Sequence, residues 1–117
     1  MPSTTNFNRG DVVLVPFPFT DLTTTKQRPG PVISSDAFNA SHDDLILLAI
    51  SSQIPTLLTA DEFLIPPAEL RTCGLPKPSL VRLSKVITLH QRLIIKRIGT
   101  LPVPTMTSVL GEFRAQF

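Results

Sequence analysis

The residues best suited to chemistry lie in a polar segment that leads into an apolar one, residues 20–34. Arg28, a permanent cation, stands there immediately before Pro29. Because proline pushes the residue before it out of the helical region, we expect Arg28 at the start of a strand, with its direction set by the backbone. The threonines that precede it offer small hydrogen-bond donors. This combination suits a phosphate-bearing ligand; a hairpin loop with one solvated arginine is the alternative interpretation.

A second polar group ends the most apolar run of the chain, residues 45–50. It consists of Ser51, Ser52 and Gln53. A short unbroken apolar run suits a central strand covered on both faces. In an antiparallel pair the start of one strand lies near the end of the next, so we expect Arg28 and Ser51 to converge. An arginine fork and a hydroxyl facing one phosphate form a clamp suited to phosphoryl transfer. Ordinary strand termination is the alternative.

The composition indicates a folded chain of modest size. Its 117 residues favour one domain over residues 1–117, with residues 1–8 flexible. Hydrophobic residues make up 42% and charged residues 17%, as in globular rather than disordered proteins. The net charge of +2 permits an anionic partner without requiring one. No signal peptide pattern and no apolar run of the ~20 residues that a membrane helix needs are visible, so we expect a cytoplasmic protein without membrane contact.

The elements that must hold these residues are short strands. Residues 12–19 are β-branched and aromatic, and Pro16 and Pro18 mark their second half as an edge or a bulge. Further strands are predicted at residues 31–35, 45–50, 63–65, 79–83, 86–89 and 94–101. Loops are predicted at residues 20–28 and 36–43, and one helical turn, closed by Gly74, at residues 68–72.

The C-terminal segment has the pattern of an amphipathic helix. Apolar residues at three- and four-residue spacing predict a helix over residues 105–116, with Thr105 or Thr107 as its N-cap. The strands before it follow one another closely, without long helices between them. We therefore predict a mainly β (α+β) fold, in which about five to six antiparallel strands bend into a small barrel with a C-terminal helix.

Metal and nucleotide sites have little support in the sequence. His42 and His90 lie far apart and Cys73 has no neighbouring thiol, so no metal site is predicted. No glycine-rich phosphate loop or dinucleotide fingerprint occurs, and no cofactor is predicted. A serine nucleophile with a histidine base stays open, since such triads form in space, but no nucleophile-elbow sequence supports one. An arginine and hydroxyl site is what remains.

Several segments, in order along the chain, resemble the MazF/PemK toxin endoribonucleases. The opening signature of that family is similar to residues 10–21 (GDVVLVPFPFTD) and 26–34 (KQRPGPVIS). Residues 48–54 resemble the family's third strand, and residues 77–82 and 96–101 resemble later segments. Each motif alone is weak, but the ordered set over residues 9–101 is specific.

The resemblance implies an SH3-like barrel, a homodimer, and metal-independent, sequence-selective cleavage of single-stranded RNA. In this family the ribose 2′-hydroxyl attacks and leaves a cyclic phosphate, and an acidic antitoxin protein covers the site. The catalytic arginine of the family falls on Arg28, and its catalytic threonine or serine falls on Ser51. The positions implied to contact RNA are Asp21, Thr24, Lys26, Gln27, Ser52, Gln53 and Lys85.

Two parts of the predicted chemistry stay open. Arginine remains protonated at physiological pH and is a poor general base, so we assign Arg28 to charge neutralisation. His42 is the imidazole candidate for the base on a loose strand model. Six cations either give the barrel one basic side for RNA or are spread around it as solubilising charges: Lys26, Arg82, Lys85, Arg92, Lys96 and Arg97.

Two other functions compete with the nuclease. The same barrel could be a non-catalytic binding module, since some relatives of this fold poison DNA gyrase. It could also be a decayed toxin, because Gly30 and Pro31 stand where the family has an alanine and an aliphatic residue. Arg28 and Ser51 together favour the nuclease, because a gyrase poison has no need of that pair.

Overall fold

The computed structural model describes residues 7–18 and 25–117. Its strands are β1 (Asp11–Pro18), β2 (Thr25–Pro31), β3 (Asp44–Ser51), β4 (Glu62–Leu64), β5 (Leu80–His90) and β6 (Lys96–Thr100). Its α-helices are α1 (Asp36–Ser41), α2 (Leu70–Cys73) and α3 (Val103–Arg114), with 3₁₀ turns at Pro67–Glu69 and Gln91–Leu93. No helix among these residues is long and apolar enough to cross a membrane.

The strands form two antiparallel sheets of three strands each. Their orders are β2-β1-β6 and β3-β5-β4. An isolated antiparallel bridge between Val32 and Leu47 joins the two sheets where the chain leaves β2. The predicted fold class, a small antiparallel β structure with a C-terminal helix, is confirmed.

Strand β1 shows how its prolines are tolerated. It pairs with β2 along its whole length, but with β6 only over residues 11–14. Pro16 and Pro18 therefore lie where β1 has a neighbour on one side only, so their missing N–H groups leave the ladder intact. A bulge in the pairing with β6 falls between Val12 and Val13. The prediction of an edge or bulge in this strand is confirmed.

The predicted boundaries of β2 were wrong. The strand runs from Thr25 to Pro31 rather than over residues 31–35, so Arg28 lies in mid-strand and not at its start. Pairing with β1 extends the strand into the polar segment, because tertiary pairing outweighs local composition. After Pro31 the chain turns to the other sheet, where the Ile33 N–H donates to the Ile46 carbonyl at 2.9 Å.

The loop predicted at residues 36–43 was also wrong, because helix α1 forms there. Ser35 is its N-cap, and its hydroxyl accepts the Phe38 N–H at 3.1 Å. Asp36 lies in the first turn, where the helix dipole favours a negative charge. Asn39 is buried and bonds to Ser34, which ties the helix to the sheet. Capping and one buried asparagine stabilise a helix that has too few apolar residues to be read as periodic.

The core has two parts, which meet at β3. Leu48 and Ile50 face one part, together with α2 and α3, and Leu45, Leu47 and Ala49 face the other, together with β1. All five side chains are buried. The prediction that residues 45–50 form a strand covered on both faces is confirmed, but its central position was wrong. Strand β3 is the outer strand of the sheet β3-β5-β4 and meets the other sheet at the bridge between Leu47 and Val32.

The C-terminal helix forms as predicted, but its N-cap was wrong. Helix α3 begins at Val103, with Pro102 at the N-cap position. Pro104 lies in the first turn, where proline is tolerated because the first N–H groups have no partner within the helix. The Thr105 hydroxyl donates instead to the Glu69 carboxylate at 2.6 Å. The Thr107 hydroxyl donates to the Val103 carbonyl at 3.0 Å.

Two other predicted elements changed in detail. The helical turn before Gly74 is present as Pro67–Glu69 and α2, and Gly74 adopts a left-handed φ of 74°. The two strands predicted at residues 79–83 and 86–89 are one bent strand, β5. Its pairing with β3 jumps from Arg82 to Val86.

Candidate active site

An open pocket lies between the strand that carries Arg28, the end of β3 and the turn before β5. Its volume is about 170 Å³. Three segments of the chain meet at this pocket, although they are distant in sequence. Its wall is formed by Gln27, Arg28, Pro29, Ile50, Ser52, Leu75, Pro76, Lys77 and Ser79.

Strand β2 fixes the arginine side of the pocket. Arg28 pairs with Val15 across the β1–β2 ladder and is half-buried. The two residues before it, Lys26 and Gln27, are exposed and pair with Phe17 and Pro16. Arg28 is therefore held by a paired strand on a rigid sheet, which is the placement that precise binding of a charged group requires.

Ser51 lies at the end of β3, next to the pocket but not on its wall. It pairs with Leu80 of β5. Its hydroxyl oxygen accepts the Gln53 N–H at 3.1 Å, which leaves the hydroxyl proton available for a ligand. Arg28 comes four residues before Val32 and Ser51 four residues after Leu47, the two residues of the antiparallel bridge between the sheets. Arg28 in the middle of β2 and Ser51 at the end of β3 thus lie on the same side of that bridge, and Ser52 is the serine that lines the pocket.

The other predicted RNA contacts are divided between several places. Gln53 lines a second, more open pocket of about 290 Å³ with Ile54, Pro55, Glu62 and Arg82. Lys85 is exposed on β5, within the jump in pairing, and lines neither pocket. Asp21 and Thr24 lie outside the described residues. Arg28, Gln27 and Ser52 are therefore the predicted residues that the first pocket brings together.

Two of the six predicted RNA-binding cations have carboxylate partners. The Arg82 Nη1 atom lies 3.7 Å from Glu62 Oε2. The Arg97 Nη1 atom lies 3.5 Å from Asp11 Oδ2. Lys26, Lys85, Arg92 and Lys96 are exposed.

His42, the candidate for the otherwise unassigned general base, does not line the pocket. It follows α1 and lies two residues before the start of β3, whereas Ser51 ends that strand. At about 3.3 Å per residue, the eight residues of β3 separate these ends by about 23 Å. The His42 ring stacks on Phe38 at 4.0 Å between centroids.

The described part of the pocket wall is cationic. It contains Arg28 and Lys77, and none of the described residues on the wall is acidic. From the sequence, Lys77 was placed in a segment that resembles the family and Ser79 in a predicted strand, but neither residue was assigned to the site. The signal that could have identified Lys77 is a cation locked between prolines next to the predicted strand.

The surroundings of Asp61 and Cys73 shift the pKa values of these two side chains. Hydrogen bonds from the Thr59 and Ser84 hydroxyls lower the pKa of Asp61 below its ordinary 3.8. Burial raises the pKa of the Cys73 thiol to about 11, so the thiol stays protonated and unreactive at physiological pH. Within residues 7–18 and 25–117, no three His, Cys, Asp or Glu side chains gather into a potential metal site.

Comparisons with known proteins agree on one protein family. A family model for the PemK-like, MazF-like toxin of type II toxin-antitoxin systems matches residues 8–117. Endoribonuclease MazF2 of Mycobacterium bovis and Endoribonuclease MazF6 of Mycobacterium tuberculosis are each 31% identical over 84 residues, which span 72% of this chain and 72% of theirs.

Solved structures share the fold. A mycobacterial endoribonuclease in complex with its cognate antitoxin superposes with a TM-score of 0.74 at 15% identity, covering 94% of this chain and 93% of that one. A MazE–MazF complex from Deinococcus radiodurans gives a TM-score of 0.69 at 18% identity, covering 93% and 94%. From the family match and the two mycobacterial relatives, the chain belongs to the PemK-like, MazF-like toxins of type II toxin-antitoxin systems.

Proposed function

We propose that this chain is an endoribonuclease toxin that cleaves single-stranded messenger RNA at selected sequences, without a metal ion. The observation that carries the proposal is the pocket in which Arg28 is held by a paired strand beside the end of β3. The family match and the endoribonuclease names of the two mycobacterial relatives support the same activity. A non-catalytic binding module of this fold is not favoured by those relatives.

The proposed reaction is an internal transfer of the phosphate. The ribose 2′-oxygen attacks the adjacent phosphorus, a new P–O2′ bond forms, and the P–O5′ bond breaks. The products are a 2′,3′-cyclic phosphate and a 5′-hydroxyl. The 2′-hydroxyl loses a proton and the leaving oxygen gains one, so neither metal nor cofactor is needed for balance. The pocket must therefore stabilise negative charge on the pentacoordinate phosphorus.

Arg28 is the group proposed to stabilise that charge. A guanidinium presents a planar fork of N–H donors that matches two phosphate oxygens. Preorganised donors of this kind contribute about 3–4 kcal/mol when charge develops on the oxygens. The hydroxyl of Ser51 is proposed to donate a further hydrogen bond, because its oxygen already accepts the Gln53 N–H and its proton is available.

Binding the rest of the RNA is proposed to involve the exposed residues around this pocket. Lys26 and Gln27 lie beside Arg28 on β2, and Ser52 lies on the pocket wall. Gln53 is proposed to bind RNA at the second pocket and Lys85 on the nearby surface of β5. Asp21 and Thr24 stay proposed contacts from the segment outside the described residues.

Antitoxin binding and dimerisation are part of the same proposal. Solved members of this fold include complexes with antitoxins, and an acidic segment suits a cationic pocket. Phe117 is 91% exposed and packs edge-on against Phe113, which leaves apolar surface at the end of α3 for a second copy. We propose a homodimer of single-domain chains in the cytoplasm, which light scattering of the purified protein would test.

The test of the nuclease is a cleavage assay on a long single-stranded RNA in excess EDTA. Wild type is expected to cut at a short recurring sequence and to leave cyclic-phosphate ends. Arg28→Ala is expected to lose at least about 10²-fold in rate, the scale for one lost donor. Arg114→Gln, which removes one positive charge from the far end of α3, is the matched control. Absence of cuts by folded, antitoxin-free wild type would contradict the proposal.

A further inference from the structure

We propose that Lys77 is a phosphate-binding residue of this site, which holds a phosphate next to the one being cleaved and so positions the RNA on Arg28. The inference rests on the proposed function. It concerns a residue that the catalytic assignment does not use. Lys77 lies on the same pocket wall as Arg28, but it comes from the turn before β5 rather than from β2.

The turn that carries Lys77 is anchored on both sides. Before it, Leu75 is buried and its N–H donates to the Leu70 carbonyl at 2.9 Å. After it, Ser79 is buried and its carbonyl accepts the Ile65 N–H at 3.1 Å. The Ser79 hydroxyl donates to the Lys77 carbonyl at 2.9 Å, which closes the turn. The Lys77 backbone is therefore fixed, while its side chain is exposed.

Prolines reduce the freedom of this backbone further. Pro76 and Pro78 flank Lys77, and each ring fixes its own φ. Pro78 also restricts Lys77 itself to extended conformations, because a residue before proline avoids the helical region. The sequence thus fixes the backbone of one lysine at the edge of a pocket. A solubilising surface lysine requires no such constraint.

The charges of the pocket indicate its ligand. Arg28 and Lys77 give its described wall two positive charges and no negative one. The ion pairs among the described residues join Arg82 to Glu62 and Arg97 to Asp11, and Lys77 takes part in neither. Each phosphodiester carries a single negative charge. Two cations therefore match the charge of two successive phosphates of one strand better than that of a single phosphate.

The two cations differ in what they can contribute. Arg28 presents a rigid fork, which suits the reacting phosphate, where oxygen positions matter. The Lys77 ammonium is a compact point charge on a flexible stem, and it binds a phosphate with little demand on direction. Lys77 is therefore a positioning residue. It contributes to RNA affinity and to the register of the strand, not to the stabilisation of charge that develops during the reaction.

The test compares Lys77→Gln and Lys77→Arg with wild type and with Arg114→Gln, which loses the same charge away from the pocket. Binding of a 2′-O-methyl RNA oligonucleotide, which cannot be cut, is measured by fluorescence anisotropy over a range of salt concentrations. One lost contact with a single strand lowers the salt slope by about 0.7, or about fivefold in Kd at 0.1 M salt. Cleavage kinetics on the matching RNA are expected to show a raised KM with kcat unchanged.

The outcomes separate this inference from the function on which it rests. Loss of affinity in Lys77→Gln, recovery in Lys77→Arg and wild-type behaviour of Arg114→Gln would support it. Lys77→Gln that binds like Arg114→Gln would overturn it, as would a fall in kcat at constant KM. Weakened antitoxin binding with unchanged RNA binding would assign Lys77 to the antitoxin and also overturn it. Wild type that neither binds nor cuts RNA would instead overturn the proposed function, and this inference with it.

Discussion

The main chain of Gly30 lies against the carbonyl group of Leu48, so a methyl group on Gly30 would overlap the Leu48 oxygen. This contact brings β2 against β3 between the sheet junction at Val32 and the pocket at Arg28. Glycine is required there by close approach, not by an unusual backbone angle. Glycine in place of the family's usual alanine was the reason to consider a decayed toxin. The contact with Leu48 gives this glycine a packing reason in this chain.

Gly30→Ala is predicted to destabilise the protein, because a new Cβ would force β2 away from β3. Overpacking of this kind costs about 1–3 kcal/mol. Urea unfolding would measure it as a lower midpoint. Gly111→Ala is the matched control, since Gly111 lies in α3 with nothing within 4 Å of an added Cβ. That change is expected to stabilise by about 0.5–1 kcal/mol, because alanine is the better helix former. Equal midpoints for the two variants would contradict the prediction.

Substitutions of the two serines at the end of β3 are predicted to change different kinetic constants. Ser51→Ala is expected to lower kcat by about 10²-fold, because it removes a hydroxyl donor on the same side of the junction between the sheets as Arg28. Ser52→Ala removes a hydroxyl from the pocket wall and is expected to change KM by less than about threefold. Single-turnover cleavage would measure both. The reverse pattern would move the catalytic hydroxyl to Ser52, which is the serine on the pocket wall.

The sequence predicted which segments near the site are strands better than it predicted where those strands begin and end. The apolar run of β3 and the residues after it were identified, because a strand buried on both faces has a distinct composition. The length of β2 was not predicted, because its polar residues form a strand only through their pairing with β1. Arg28 was placed near Ser51 on the premise that their strands form an antiparallel pair, whereas β2 and β3 belong to different sheets that meet at the Val32–Leu47 bridge.

The parts of the site that escaped prediction depend on contacts distant in sequence. Lys77 reaches the pocket because Leu75 and Ser79 are buried and Ser79 bonds back to the turn. The candidate base His42 lies at the opposite end of β3 from Ser51, because it follows α1, a helix that is capped at Ser35. Neither result follows from composition or periodicity.

The hydrogen bond from Thr105 to Glu69 is predicted to contribute more to the free energy of unfolding than the bond from Thr107 to Val103. Thr105→Val keeps the shape but removes a hydroxyl that donates to a carboxylate at 2.6 Å. We expect a loss of about 1.5–3 kcal/mol, as for hydrogen bonds to charged groups. Thr107→Val removes only a bond to the carbonyl one turn earlier, on an exposed face, and is expected to cost less than about 0.5 kcal/mol. Similar losses in the free energy of unfolding of the two variants, measured by urea unfolding, would contradict this prediction.

The segment that follows Ser52 is held at its far end by Asp61. The carboxylate accepts hydrogen bonds from the hydroxyls of Thr59 and Ser84, the latter at 2.7 Å. These bonds lower its pKa below the ordinary 3.8. A carboxylate with a lowered pKa adds stability that is present above its unfolded pKa and is lost as pH falls through its folded pKa. Asp61 therefore contributes at neutral pH and stops contributing in acid.

Asp61→Asn is predicted to lower the melting temperature at pH 7 and to flatten its fall as the pH drops below about 5. The two melting curves should converge at the lowest pH, where the wild-type carboxyl is protonated and carries no more charge than the amide. Ser84→Ala keeps the charge but removes one donor, so its curve should lie between the other two. Parallel curves for wild type and Asp61→Asn across this range would show that the hydrogen bonds at Asp61 do not stabilise the folded state.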